Sequence, residues 1–139
     1  VTVGPLYRSQ ILDKGDLLLS SEKPSFAFYC LNRRFPDKGV QLAHDIQQLQ
    51  FAEGLDYGAD ASYSALIKRY GVSEAEFLAE LQSSETRQQT FAGFDTVAQW
   101  GIRGFPAVVM FHQGKGYLLS NGYTDLKNLQ QAAEEALKK

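Results

Sequence analysis

Few side chains in this sequence can do covalent chemistry, and their spacing narrows what that chemistry could be. Cys30 is the only cysteine among 139 residues, and His44 and His112 are the only histidines. A lone thiol excludes an intrachain disulfide, a Cys-x-x-Cys pair and a multi-thiolate zinc site. Cys30 sits among Phe26, Phe28, Tyr29 and Leu31, a setting in which a free thiol behaves as a small buried hydrophobe. His44 lies next to Asp45 and near Asp37, and His112 precedes a glycine-rich turn. Neither forms a recognisable nucleophile–base–acid set, so both read as solvated or locally bonded side chains. Arg33 and Arg34 suit the end of a helix, where positive charge is favourable, better than they suit an anion such as the glutathione carboxylate. The sequence therefore predicts no catalytic side chain, no metal centre and no cofactor.

The run that carries chemistry offers backbone rather than side chains. Gly101-Ile102-Arg103-Gly104-Phe105-Pro106 leads into Ala107-Val108-Val109-Met110-Phe111. Proline has no N–H for a sheet ladder, so Pro106 is allowed at the first residue of a strand and not inside it. An X–Pro bond also adopts the cis form at a cost of only about 0.5–1 kcal/mol. In that reading the amide and carbonyl of Phe105 face outward as a ledge for an extended peptide. Gly104 gives the turn its freedom, and Arg103 flanks the groove, facing any acidic group on the substrate. The competing reading is a plain helix-to-strand loop with a trans proline, in which Arg103 is simply exposed.

The elements that must position this run are mostly helical. Residues 1–22 lack helical periodicity and read as an extended lead-in. Residues 23–100 read as a helical region with its long connecting helix, and residues 101–139 as a loop, a β-hairpin and a last helix. Pro24 suits a first helical turn, and Phe26, Ala27, Cys30 and Leu31 mark that helix's apolar face. Asp37 is the expected N-cap of a helix carrying Leu42, Ala43, Ile46 and Leu49 and stopped by Gly54. A shorter helix ends at Gly71. Ser73 with Glu76 fits a capping box, and Ser83 or Ser84 caps a helix carrying Phe91, Phe94, Val97 and Ala98. Strands are expected over 107–111 and 117–120, an Asn121-Gly122 turn after them, and Thr124 as cap of the final helix. The nearly unbroken apolar run at 107–111 is that of a strand buried on both faces of a larger sheet. No confident partner strand stands upstream: residues 1–3 or 17–19 join the sheet, or its other strands lie outside this chain.

Composition sets the remaining bounds. Hydrophobic residues make up 44% and charged residues 22%, as in ordinary globular domains. A net charge of −2 supplies no concentrated basic surface for nucleic acid or an anionic membrane. No apolar run reaches the ~18–20 residues of a membrane span. The expected partners therefore include neither nucleic acid nor membrane, and the low cysteine count points to the cytoplasm. The chain shows no secretory signal and opens on Val1 rather than Met, which is read as the mark of a removed upstream segment.

Helix, turn, Gly-Phe-Pro, hairpin and last helix together resemble the C-terminal half of the thioredoxin fold, in its DsbA-like branch. Lys14-Gly15-Asp16-Leu17 followed by Ser21-Glu22-Lys23-Pro24 resembles the entry to the helical insertion in bacterial proteins described as predicted disulfide isomerases. The resemblance covers residues 15–139. It implies an α/β, mostly helical chain: a helical insertion plus the C-terminal hairpin–helix half of that fold. The family's strand–helix–strand unit, which carries the active-site thiols, is missing. The resemblance thus implies an intact thiol–disulfide oxidoreductase or isomerase acting on protein or small disulfides, and a chain that is redox-inactive by itself. It places substrate binding on Gly104, Phe105 and Pro106, with Arg103 beside them. Phe105 is bulkier than the Val, Thr or Ile common at that place, so the family's groove width does not carry over.

Two alternatives remain open on the sequence. Kappa-class glutathione transferases and 2-hydroxychromene-2-carboxylate isomerases share the architecture and use a serine in place of the thiol pair. A naturally complete chain would instead be a peptide-binding or self-associating module, pairing with a second copy or a partner chain through an exposed strand edge.

Overall fold

The computed structural model describes residues 2–138 and divides into two compact units, Val1–Ala92 and Gly93–Lys139. The first is helical. After a short α1 (Pro5–Tyr7) and a π-helical turn (Arg8–Leu12) come α2 (Glu22–Arg34), α3 (Gly39–Phe51), α4 (Ser64–Arg69) and α5 (Glu74–Leu81), with α6 (Ser84–Gln99) beginning in this unit. Ala27, Cys30 and Leu31 of α2, Leu42, Ile46 and Leu49 of α3, Leu66 and Ile67 of α4, and Phe77 and Leu81 of α5 close one core around Tyr63. The apolar spacing that predicts these helices is the spacing that buries them.

Local signals account for most of the boundaries. Gly54 and Gly71, at φ +68° and +67°, take the left-handed conformation that follows a helix end. The Ser73 hydroxyl accepts from the Glu76 N–H at 3.5 Å, and Ser83 does the same for Thr86 at 3.1 Å. Half of the expected capping box forms, since the Glu76 carboxylate lies 3.7 Å from Arg34 instead. Asp37 is not an N-cap: it sits in a 3₁₀ turn, Pro36–Lys38, and α3 starts without a side-chain cap.

The extended lead-in is corrected over residues 5–12. They are helical because tertiary contacts hold them: Tyr7 packs on Phe51 at 5.2 Å, Gly4 N–H donates to Phe51 C=O at 2.8 Å, and Ile11 is buried. A sequence window contains none of these long-range contacts.

The second unit contains the end of α6, β1 (Ala107–His112), β2 (Lys115–Asn121) and α7 (Leu126–Leu137), with α7 packed on β2. Gln113 and Gly114, at φ 51° and 75°, make the two-residue turn whose twist matches a hairpin. The register runs from His112↔Lys115 to Ala107↔Asn121, with a bulge that leaves Leu119 without an opposite residue. Asp125 caps α7, accepting from Asn128 N–H at 2.8 Å, where the sequence suggests Thr124. The sheet holds two strands among the described residues. Val1, offered as part of a partner strand, lies outside them; residues 2–3 and 17–19 are not strands. β1 is therefore not buried on both faces: Phe111 is 62% exposed and Val108 37%.

Candidate functional site

The glycine-proline run forms a loop at the head of β1. Gly101 takes φ +75°, and the Phe105–Pro106 peptide is cis. Pro106 has no N–H, and its carbonyl accepts from Gly122 N–H at 2.7 Å, one step beyond the Ala107↔Asn121 pair. Gly104 lies against β2's end: a Cβ there would be 3.4 Å from Asn121 Oδ1. Phe105 is 76% exposed, and among the described residues no backbone hydrogen bond engages its N–H or C=O. The loop thus presents one free donor and one free acceptor at the start of a strand, which is what an extended peptide pairs with. Arg103 is exposed and makes no ion pair among the described residues. Gly104, Phe105 and Pro106 share this loop with Arg103.

The other reactive side chains stay apart from one another. Cys30 is buried, with its Sγ 3.5 Å from Thr86 Oγ1. Burial pushes its thiol pKa up, against the hydrogen bond with Thr86, and a thiol held protonated is a poor nucleophile. Arg33 pairs with Glu85 at 3.1 Å and lies over the Tyr29 ring, while Arg34 pairs with Glu80 at 2.7 Å. Both guanidinium groups are committed to ion pairs. His44 shares a 3.2 Å contact with Gln48, and His112 ends β1 opposite Lys115.

Sequence reasoning missed one polar cluster, centred on Asp45. This carboxylate is 5% exposed on the core-facing side of α3. It accepts from Gln41 at 2.8 Å and from the Tyr70 hydroxyl at 2.8 Å, with Arg69 at 3.4 Å and His44 at 3.5 Å. Burial alone would raise its pKa, but the Tyr70 and Gln41 hydrogen bonds, with Arg69 and His44, outweigh it and hold the carboxyl below its usual range. Asp45 falls on the stripe of Leu42, Ile46 and Leu49, and that misplacement was the available signal. With its oxygens engaged, the carboxylate ties α3 to the end of α4 and is not poised for proton transfer.

Searches of protein families and of curated proteins find no match. Among solved structures, the chain is similar to that of a putative protein disulfide isomerase from Nitrosomonas europaea, at 31% identity and a TM-score of 0.79. The match covers 88% of this chain and 60% of that protein, so the chain spans less than two thirds of its neighbour's length. Mostly helical, with a two-stranded antiparallel sheet, the fold is that of part of a DsbA-like thioredoxin-fold protein.

Proposed function

We propose that this chain is the substrate-side portion of a DsbA-like thiol–disulfide oxidoreductase or isomerase, holding a substrate strand while thiols from outside it do the chemistry. The similarity to the Nitrosomonas europaea protein over 88% of the chain carries this reading. The vacant N–H and C=O of Phe105 support it, because a peptide held there is fixed by main-chain hydrogen bonds whatever its sequence. Cys30, buried and bonded to Thr86, is no substitute for the catalytic thiol. In the proposed reaction an external thiolate attacks a substrate disulfide, forming a mixed disulfide and releasing the substrate's other sulfur as thiolate. Gly104, Phe105 and Pro106 hold the substrate strand during that exchange. Arg103 meets an acidic side chain on it. The open outer edge of β1 pairs with a further strand, from an upstream segment or from another chain.

Intact mass and N-terminal sequencing of the natively expressed protein, with a disulfide-exchange assay on the same material, test this. The expected result is a longer product with a thiol pair ahead of this chain, active in exchange, whereas the 139-residue chain is inert. A native product whose only thiol is Cys30 would remove the redox reading and leave a peptide-binding module. A serine in place of the upstream thiols would move the assignment to the transferase–isomerase line.

A further inference from the structure

We infer that Asn121-Gly122, a dipeptide that reads from sequence as a simple turn, is the device that positions the ledge, with Gly122 as its positioning residue. This rests on the ledge reading above. Pro106 has a single polar backbone group, its carbonyl, and the 2.7 Å bond from Gly122 N–H satisfies it. The first vacant N–H and C=O beside the strand are therefore those of Phe105. On the other side of the ledge Gly104 faces the Asn121 side chain, whose Oδ1 would lie 3.4 Å from a Cβ built there, an ordinary contact distance. Residues 104–106 thus meet two consecutive residues, Asn121 at the end of β2 and Gly122 just past it, and the bond from Gly122 to Pro106 is the one that fixes them.

The hairpin register delivers that grip. Opposite residues sum to 228 in Ala107↔Asn121 and Val108↔Ser120, but to 227 from Val109↔Leu118 onward. The extra residue, Leu119, shifts the end of β2 by one. Without the bulge, Asn121 would stand opposite Pro106 and Gly122 would fall beyond it. With the bulge, the residue opposite Pro106 is the one at φ +98°, a conformation that side chains other than glycine rarely adopt. There the chain donates its N–H to Pro106 and immediately turns off toward Asp125 and α7. A bulge that re-aims the backbone beside a functional loop is a recurrent use of that irregularity.

The test is a two-dimensional ¹⁵N–¹H titration of the 139-residue chain with a capped octapeptide of alternating valine and threonine around one glutamate. Wild type, Gly122→Val and Gly122→Asn are compared, since asparagine tolerates positive φ far better than a β-branched residue. Wild type is expected to shift the Phe105 amide on binding. Gly122→Val should bind about tenfold more weakly or worse, and Gly122→Asn within about threefold of wild type. That Val–Asn split is not expected if residue 122 merely tolerates any side chain. Binding by Gly122→Val equal to wild type overturns the positioning role and leaves the ledge reading standing. Failure of wild type to bind overturns both. Should Gly122→Val not fold, amide exchange on wild type decides. The role requires a protected Gly122 amide and an unprotected Phe105 amide that becomes protected with peptide, and a Gly122 amide exchanging as fast as that of Phe105 overturns it.

Discussion

The two units solve the same packing problem to different degrees. In the helical unit Tyr63, Phe77, Leu31, Leu42, Leu49, Leu66 and Ile67 are each under 2% exposed or at that bound. Its two buried phenols find acceptors within the unit: Tyr57 donates to Ile46 C=O at 3.0 Å and Tyr63 to Tyr57 C=O at 3.1 Å. Among the described residues from 93 onward only Ala136 is buried, while Trp100, Phe111, Leu118, Leu126 and Leu137 are more than half exposed. Trp100 and Phe111 cover each other edge to face, 5.3 Å apart. A helical unit can close a core from one continuous stretch of chain, because each helix satisfies its own backbone. A two-stranded hairpin leaves the outer edges of its strands unpaired and depends on a covering helix for stability, and here α7 packs on β2 while Phe111 stays 62% exposed. The unit with the less buried apolar surface is also the one that carries the vacant backbone groups of Phe105.

Five substitutions, two of them read through pH titrations, sharpen or break that contrast. Phe77→Ala, which removes a fully buried ring 6.1 Å from Tyr63, should cost about 3–5 kcal/mol in denaturant unfolding of the helical unit. A loss below about 1 kcal/mol would mean the core is not the closed one described.

Alkali should act on the same unit. Burial pushes the Tyr57 phenol up from 10 to about 12, and raises Tyr63 as well. The folded state favours the neutral phenol, so this contribution is complete below the ordinary tyrosine pKa and is lost as pH rises above it. For Tyr57 it amounts to about 2–3 kcal/mol. Urea midpoints between about pH 9 and 12 should fall steeply, and Tyr57→Phe should flatten the slope. An unchanged slope in that variant would show that Tyr57 titrates as freely in the folded protein as in the unfolded one.

Asp45→Ala strands the Tyr70 hydroxyl and should cost about 1–3 kcal/mol. The depressed carboxyl of Asp45 works in the opposite pH direction from the phenols. Its contribution is complete above the usual aspartate pKa and is lost as pH falls through that value toward the lower folded one. Acid titration of stability in Asp45→Asn should therefore be flatter than in wild type, and an identical acid limb would remove Asp45 as its source.

The smallest effect is expected in the second unit. Phe111→Ala deletes a ring that is 62% exposed and packed mainly on Trp100, and should cost about 1 kcal/mol or less. A cost matching that of Phe77→Ala would erase the contrast between the units, since it would require this hairpin face to be covered.

How far the sequence could be read depended on how local each cause was. Ser73 and Ser83 act on an N–H three residues away, and Gly54 and Gly71 on the turn they end, so those helix limits were legible. The Gln113-Gly114 turn and the flanking apolar runs made the hairpin legible too. Asp37 and Thr124 misled because a neighbour did the work, a 3₁₀ turn in one case and Asp125 in the other. The loop residues before β1 were legible because Pro106 can stand only at the head of a strand. Their fastening was not, since the bond from Gly122 depends on a one-residue bulge that no residue type announces.

The sequence by itself determined a mostly helical chain with one hairpin, a single thiol unable to cycle, and a proline-headed strand with Phe105 before it. These follow from periodicity, from counting and from the missing N–H of proline, all properties of a residue and its near neighbours. Only the tertiary structure decided that residues 5–12 coil against Phe51, that Gln41, Arg69 and Tyr70 converge on Asp45, and that Gly122 meets Pro106. Each of these joins groups whose approach is set by chain closure and strand register, and those quantities are fixed by the packed whole and not by any window of its sequence.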